Sequence, residues 1–313
     1  MQRILPALPA PAAWKVFVDY TYRMFAANDV APNELVFVAM AQKEGWSTED
    51  TFWFLILLWA YNHWGSALVA FERFPVPSAL DEATMRLPMT TSRRGLRGGR
   101  LEGYIASYLL QVRRYGSLCA FFSADFTSDV HHNFERYWRQ ALCIWGNGRW
   151  AAFGMAEHMV RGMGWPMEAP DMRLAGQRSV QRGLLDLFGM TAENVWPLAA
   201  YNQLGVLALA YARQAAFPHM GYETLETLLC DYQALLRGLY YVGNHIDEEL
   251  EELIQVRFML SSVRLAQVWD LRQQVIPWDY LGEYHGWSGS SSVLKRYYRT
   301  YRLVGDRSSH ADP

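Results

Sequence analysis

The composition and charge of the 313-residue chain limit the classes of protein to which it can belong. Hydrophobic residues make up 51% of it, enough for a large core, and the formal net charge of −2 excludes a polybasic protein, so nucleic acid would be bound by a local patch. The cysteines Cys119, Cys143 and Cys230 lie too far apart for a zinc motif or a disulfide framework, and the longest apolar run, at residues 52–61, falls short of the ~20 residues of a membrane span. We therefore expect a soluble cytoplasmic protein that has no membrane partner.

The N-terminal part of the chain is predicted to be helical, because almost no stretch alternates as a β-strand does. Amphipathic helices are expected at residues 12–27 and 32–44. Ser47, followed three residues later by Asp50, forms a capping box that opens a long apolar helix ending near Phe74. We expect this long helix to be central and buried.

Two polar residues, Asn62 and His63, interrupt the apolar run of that long helix. One interpretation is that the end of the helix rotates into solvent at this point. The other is that Asn62 and His63 edge a pocket for a base or an amino acid. The sequence leaves both interpretations open.

Residues 90–100 differ in kind from the helices around them, since they contain four arginines, three glycines and no acidic residue. A solvated linker is the plain interpretation of such a segment. Arginine, however, makes forked contacts to phosphate oxygens, and glycine lets the backbone approach a ligand closely. We favour a clamp for phosphate or pyrophosphate, formed by Arg93, Arg94, Arg97 and Arg100.

The spacing of apolar residues predicts a helix on each side of the turn at Gly146-Asn147-Gly148. Gly146 and Gly148 are expected to supply the positive φ of a tight reversal, which Asn147 also tolerates. Such a helix-hairpin-helix points the first amides of its second helix outward, and Arg149 adds a positive charge beside them. The hairpin is therefore predicted to bind a phosphate, with a plain structural turn as the alternative.

After the hairpin, the sequence continues as helices and ends in a basic segment. Helices are predicted at residues 176–188, 197–214, 222–242 and 247–275, and the acidic residues that open the last of these are expected to cap it and to face solvent. An aromatic loop containing Glu283 precedes a short basic-aromatic helix with Lys295 and Arg296, a surface suited to a nucleic-acid backbone. Residues 303–313 are expected to form a flexible tail. With no internal repeat, residues 1–313 are interpreted as a single helical domain of two lobes.

The hairpin and the aspartate that follows it resemble a known arrangement. In helix-hairpin-helix DNA glycosylases the hairpin reads Gly-x-Gly-Arg-Lys-Thr-Ala, and an aspartate lies on the loop into the next helix at closely similar spacing. Here Gly146-Asn147-Gly148-Arg149-Trp150-Ala151-Ala152 is followed, 21 residues after Trp150, by Asp171, so residues 130–174 resemble the hairpin and catalytic loop of that fold. Trp150 occupies the position of the lyase lysine, which excludes Schiff-base chemistry there.

A narrower resemblance is carried by Gly148-Arg149-Trp150-Ala151-Ala152-Phe153, Ala169-Pro170-Asp171-Met172 and Leu281-Gly282-Glu283-Tyr284-His285-Gly286-Trp287. These motifs resemble those of the amino acid:DNA transferases of bacteriophages that hypermodify thymine, also called alpha-glutamyl/putrescinyl thymine pyrophosphorylases. The resemblance extends from about Thr51 to Trp287. It implies an all-α fold similar to helix-hairpin-helix DNA glycosylases, with two helical lobes around a cleft, in a protein of the infected host cell's cytoplasm.

The same resemblance implies a reaction, in which the amine of an amino acid, often glycine, displaces pyrophosphate from 5-pyrophosphoryloxymethyl-deoxyuridine in DNA. Asp171 would then be the catalytic base or electrostatic anchor. The substrate-binding residues would be Asn62, His63, Arg93, Arg94, Arg97, Arg100 and Glu283. Double-stranded DNA carrying the pyrophosphorylated hydroxymethyluracil would be bound by Gly146, Asn147, Gly148, Arg149, Lys295 and Arg296. No cofactor is implied, although helix-hairpin-helix proteins often hold a monovalent cation on hairpin carbonyls, which here would be structural.

Two other classes of function fit the same residues. If only the fold carries over, the protein is a DNA glycosylase in which Asp171 activates water and a modified base is released. If neither chemistry carries over, it is a non-catalytic DNA-binding or assembly protein, in which Asp171 is dispensable and the arginine-glycine segment is a tether.

Overall fold

The computed structural model describes residues 5–89, 96, 99–191 and 196–276, and within them every regular element is an α-helix. This confirms the all-α prediction. The predicted aromatic loop, the basic helix and the tail beyond residue 276 lie outside the described residues. The helices are α1 (Pro11–Ala26), α2 (Pro32–Glu44), α3 (Thr48–Tyr61), α4 (Trp64–Arg73), α5 (Glu82–Met85), α6 (Gly99–Tyr115), α7 (Leu118–Ser123), α8 (Val130–Cys143), α9 (Arg149–Arg161), α10 (Arg178–Leu187), α11 (Leu198–Ala215), α12 (Tyr222–Leu235), α13 (Asn244–Val256) and α14 (Ser262–Val275).

The chain divides into two compact units, each built from segments that are separate in sequence. The first unit contains the described residues of Met1–Val30 and Ala169–Asp247, which include α1 and α10 to α12. The second contains those of Ala31–Glu168 and Glu248–Asp279, which include α2 to α9 and α14. Helix α13 crosses from the first unit to the second, because the boundary lies between Asp247 and Glu248.

The expected capping box forms, but the long helix that it opens is broken. The Ser47 Oγ accepts a hydrogen bond from the Asp50 amide at 3.1 Å, and the Asp50 carboxylate accepts one from the Ser47 amide at 2.9 Å. Asn62 then adopts φ +46 and ends α3, while His63 begins α4 as its N-cap by accepting from the Ser66 amide at 3.1 Å. The prediction of one helix to residue 74 is therefore wrong, because Asn62 tolerates the left-handed conformation that ends a helix.

The predicted helices near the C-terminal end of the described chain are also shorter. Gly238 and Gly243 have φ +66 and +100, a conformation that favours glycine, and the helix predicted at 222–242 ends at Leu235. The single helix predicted at 247–275 is two helices, because Ser261 caps α14 by accepting a hydrogen bond from the Arg264 amide at 3.2 Å.

In the first unit, α1, α10 and α12 pack around an aromatic core. A Cβ built on Gly183 of α10 would lie 2.3 Å from the Leu229 carbonyl oxygen of α12, so these two helices approach at backbone distance. Asp29 is fully buried and caps the first turn of α13 from a distant part of the chain. Its carboxylate accepts hydrogen bonds from the amides of Gly243 (2.6 Å) and Ile246 (3.0 Å), which would otherwise be unpaired at the start of the helix.

In the second unit, α3 is buried along most of its length and packs against α4, α6, α7 and α9. A Cβ on Gly65 of α4 would lie 2.3 Å from the Glu252 carbonyl oxygen of α13, which shows that this contact also requires glycine. Across the described residues, no helix combines the length and the apolar character needed to cross a membrane.

The acidic residues of α13 are not the solvated cluster that the sequence predicts. Glu249 is 3% exposed and accepts a hydrogen bond from the Arg272 Nε at 2.6 Å, and Arg272 is itself only 2% exposed. Glu252 accepts from the Trp64 amide at 2.5 Å and so helps to cap α4. The prediction fails because these carboxylates find partners on helices that are distant in sequence.

Candidate nucleic-acid interface

A helix-hairpin-helix is present, formed by α8, the connection from Ile144 to Gly148, and α9. The reversal is tight, since the Asn147 amide donates a hydrogen bond to the Ile144 carbonyl at 3.1 Å. Gly146 has φ +88, as predicted. Gly148 does not have the predicted positive φ: its φ is −99 and its ψ −178, because it is the extended N-cap residue of α9.

The side chain of Asn147 holds the hairpin closed. Its Nδ2 donates hydrogen bonds to the Tyr108 hydroxyl and to the Ala141 carbonyl, both at 3.0 Å, and so ties the turn to α6 and to the end of α8. Tyr108 is fully buried, and burial raises the pKa of its hydroxyl well above the usual value. Asn147 therefore acts in positioning the turn, rather than by tolerating positive φ as the sequence suggested.

The hairpin lies directly against α6 and the segment that precedes it. The Trp145 amide donates to the Ser107 Oγ at 3.1 Å, and a Cβ on Gly103 would lie 3.2 Å from the Trp145 ring. A Cβ on Gly146 would lie 3.2 Å from a methyl carbon of Leu96, which is 5% exposed. Leu96 is a described residue of the arginine-glycine segment, so this one residue of the segment lies against the hairpin.

Positive charge and helix geometry favour an anion near this contact. The N-cap of α9, Gly148, makes no side-chain cap, so no carboxylate or hydroxyl of its own covers the positive end of the helix dipole. The Arg149 guanidinium lies 4.4 Å from the centre of the Phe153 ring, one turn along α9 rather than at its end. Arg100, at the start of α6, is exposed.

Trp150, the residue that follows Arg149 in the hairpin, belongs to an aromatic cluster. The Trp150 ring lies 4.8 Å from that of Trp59 on α3, in an edge-to-face arrangement, and Trp59 in turn lies 5.8 Å from the His158 ring. Gly154 makes this possible, since a Cβ there would lie 2.3 Å from the Trp59 ring. Trp59 therefore inserts into α9 at a position where only glycine leaves room.

A buried charged group on α2 and α9 was not predicted from the sequence. The Arg161 guanidinium lies 3.6 Å from the Glu34 carboxylate and 3.1 Å from that of Glu157. Burial raises the pKa of Glu34 to about 8, and Arg161 only partly opposes that rise. Glu157 and Arg161 are four residues apart on one helix and could have been paired by spacing, whereas Glu34 gives no such signal.

His158 borders the same group and is kept neutral by burial. It is 7% exposed, burial lowers its pKa to about 4, and its Nδ1 donates a hydrogen bond to the Gly154 carbonyl at 2.8 Å. Within the part of the chain that the structure describes, the His158 Nε2 has no hydrogen-bond partner. His158 thus contributes mainly as an aromatic ring stacked on Phe37 of α2, with centroids 6.0 Å apart.

Asp171 belongs to the first unit, on the loop between α9 and α10. Its Oδ1 accepts a hydrogen bond from the Arg173 amide at 2.7 Å and lies 3.6 Å from the Arg173 Nε, while the Asp171 side chain is 39% exposed. Arg173 adopts φ +48, so the loop turns sharply at this point. The loop is held by the Glu223 carboxylate, which accepts from the Ala169 amide at 2.7 Å. Asp171 is therefore an oriented and accessible carboxylate.

His63 is buried, so the interpretation that the helix end turns into solvent at this residue is wrong. It is 3% exposed, and its Nε2 donates a hydrogen bond to the Gln255 Oε1 at 3.3 Å, while its Nδ1 caps α4. Burial lowers the pKa of His63 to about 4, consistent with this neutral ring. His63 and Asn62 form a corner between α3 and α4, and a contact of either with substrate stays a prediction.

The structure thus brings Gly146, Asn147, Gly148 and Arg149 together with Leu96 and the start of α6. Six predicted site residues lie outside the described residues: Arg93, Arg94, Arg97, Glu283, Lys295 and Arg296. Among the residues that are described, no group of three or more His, Cys, Asp or Glu side chains could hold a metal ion. In comparisons with known proteins, no family model matches the chain, and no curated protein matches it significantly.

Proposed function

We propose that this protein binds double-stranded DNA through its hairpin and acts on it as an amino acid:DNA transferase, with a fold of the helix-hairpin-helix DNA glycosylase class. The observation that carries the proposal is the hairpin itself, in which Leu96 packs against Gly146 and Gly148 begins α9 without a side-chain cap. The reaction itself rests on the resemblance to the transferases of thymine-hypermodifying bacteriophages. Trp150, which packs edge-to-face on Trp59, has no amine, so the proposed mechanism includes no Schiff base at that position.

DNA binding at this place would rest on charge and on backbone amides. A phosphate at the start of α9 would gain from the helix dipole, which is positive at that end. The Arg149 guanidinium, held over Phe153, adds a cation whose position is already fixed, so little side-chain entropy is lost on binding. Contacts of this type are insensitive to base sequence.

The proposed reaction exchanges one substituent on the thymine methyl carbon. The nitrogen of the amine forms a bond to that carbon, the bond from carbon to the pyrophosphate oxygen breaks, and pyrophosphate leaves with the electron pair. The amine must lose a proton, and Asp171 is the group we assign to accept it or to stabilise the positive nitrogen. The arginines of residues 90–100 would stabilise the charge that develops on pyrophosphate.

The reaction is tested with DNA that carries pyrophosphorylated hydroxymethyluracil and a mixture of amino acids. We expect release of pyrophosphate and a nucleoside that is heavier than 5-hydroxymethyl-deoxyuridine by the mass of the amino acid less one water. Release of a free base would instead identify a DNA glycosylase, and the absence of both products would leave a DNA-binding protein. Asp171→Asn should lower product formation by ~10²-fold or more while DNA binding is kept. Asp270→Asn, at an exposed aspartate on α14, is the matched control.

The role of the hairpin is tested by the salt dependence of DNA binding. Arg149→Ala should lower the slope of affinity against salt by about one unit, because one phosphate contact is lost. Gly148→Val should weaken binding to all sequences similarly, by covering the amides of α9. Arg257→Ala is the control, since Arg257 also lies over an aromatic ring, 4.3 Å from the centre of Phe258, but not on the hairpin. Unchanged binding in both hairpin variants would reduce the hairpin to a structural turn.

The arginine-glycine segment is tested separately. Alanine at Arg100, alone or with Arg97, should impair turnover far more than it impairs binding of unmodified DNA, if these residues serve the pyrophosphate. Equal losses in turnover and binding would mean that the segment holds only backbone phosphates.

A further inference from the structure

The hairpin presents a large aromatic side chain to solvent at the residue that precedes its first glycine. Trp145 is 51% exposed, although tryptophan is usually well covered in folded proteins. It lies in the connection from Ile144 to Gly148, between the two helices of the hairpin. An exposed indole at this place requires an explanation in terms of what covers it.

The exposed ring of Trp145 is held in position from below. Its backbone amide donates to the Ser107 Oγ at 3.1 Å, and its ring lies against Gly103, where an added Cβ would come within 3.2 Å of the benzo carbons. Gly103 and Ser107 are one turn apart on α6, so they support the residue along one face of that helix. The Trp145 ring thus lies against the backbone of α6 at Gly103, and α6 fixes its position.

The surroundings of Trp145 select one kind of occupant. Trp145 stands immediately before Gly146 and four residues before Arg149, whose guanidinium lies over the Phe153 ring. A partner that meets all of these groups must combine phosphate anions with flat apolar surfaces a few ångströms away. Nucleic acid has this combination, because each phosphate is followed by a deoxyribose and a base with an open π-face.

We propose that Trp145 is a stacking residue, which packs its exposed indole on a base or deoxyribose next to the phosphate held by the hairpin. The inference rests on the proposed function, as it requires the hairpin to bind DNA. The Trp145 ring would add a stacking contact to the ionic contacts of the hairpin. This stacking contact is strongest where a base is unstacked from its neighbours. DNA with a mismatch or bulge is therefore bound more tightly than a perfect duplex, and the preference depends on Trp145.

The test compares Trp145→Ala, Trp145→Phe and the wild-type protein in binding to matched duplexes with and without a single bulged base. Trp145→Ala should lower affinity for the bulged duplex by roughly tenfold, the scale of one base–aromatic stack, and leave the salt slope unchanged since no ionic contact is lost. Trp145→Phe should keep most of the affinity. Trp269→Ala, at a tryptophan of α14 that is 40% exposed, should have no effect.

A second measurement keeps the proposal falsifiable if Trp145→Ala does not fold. Photocrosslinking of wild-type protein to DNA containing 5-iodouracil at the bulge, followed by peptide mass analysis, should place the adduct on Trp145. An adduct elsewhere, or unchanged DNA affinity of a folded Trp145→Ala protein, overturns this inference. The proposed function would still stand in that case if the salt slope of DNA binding depends on Arg149. Loss of self-association in Trp145→Ala, with DNA affinity unchanged, would assign the ring to a second copy of the chain and also overturn it. If the wild-type protein binds no DNA, the proposed function fails and this inference fails with it.

Discussion

Gly154→Ala is expected to destabilise the protein, although alanine is the better helix former. The added Cβ would lie 2.3 and 2.4 Å from two benzo carbons of Trp59, whereas carbon atoms in contact are normally about 3.5–4.0 Å apart. The ring cannot move aside easily, because Trp59 is 7% exposed and packs against Trp150 and His158. Overpacking of this type costs about 1–3 kcal/mol, and the gain in helix propensity of up to ~1 kcal/mol offsets only part of it. We expect a net loss of about 1–2 kcal/mol, because the short distances place the overpacking in the upper part of its range.

Urea denaturation followed by circular dichroism would measure this loss, and a double-mutant cycle would assign its cause. Trp59→Phe removes the benzo carbons that the new Cβ would meet. The double variant Gly154→Ala/Trp59→Phe should therefore be more stable than the sum of the single changes predicts, by about 1 kcal/mol or more. Gly99→Ala is the control, since a Cβ at Gly99 meets nothing within 4 Å. A Gly154→Ala protein as stable as wild type, or an additive cycle, would refute the packing argument.

Three further predictions concern buried polar groups. Asn147→Ala should lower stability by about 2 kcal/mol, because two hydrogen bonds are lost and the buried Tyr108 hydroxyl loses a donor; an unchanged melting temperature would contradict this. The pKa of Glu34 is raised to about 8 in the folded protein from an ordinary 4.5. Protonated Glu34 therefore stabilises the fold fully below about pH 4.5, and this contribution is lost as the pH rises through 8. Glu34→Gln should flatten the fall in the free energy of unfolding over that range, as measured by denaturant titrations at a series of pH values. Arg272→Met should lower the free energy of unfolding by about 3–5 kcal/mol, because the Glu249 carboxylate stays buried without its cationic partner. The double variant Arg272→Met/Glu249→Leu should recover most of that loss in denaturant titrations.

The features that were predicted correctly from sequence are those set by residues close together in the chain. The capping box of Ser47 and Asp50 needs only four residues. Gly146 adopts positive φ in a tight turn, a conformation that residues with a β-carbon rarely adopt. The helical hairpin follows from apolar spacing on either side of that turn. These are local properties, and local sequence contains them.

The features that were missed depend on partners distant in sequence. His63 is an unusual N-cap residue, and its buried ring donates a hydrogen bond to Gln255, almost two hundred residues later in the chain. The Glu249 carboxylate was expected in solvent because its partner Arg272 lies on another helix. The contact of Leu96 with the hairpin likewise joins segments about fifty residues apart, and no pattern within either segment predicts it.

The interleaving of the two units along the chain sets the order in which they can fold on the ribosome. The segment that ends at Val30 is made before the rest of its unit, which begins only at Ala169, more than one hundred residues later. At the usual rate of synthesis this is a wait on the order of ten seconds, during which the apolar face of α1 and the Asp29 carboxylate have none of their native partners. Helices α2 to α9 are made during that wait and can form their contacts with one another meanwhile. We therefore expect that a chaperone which binds this earlier segment during synthesis would raise the yield of native protein.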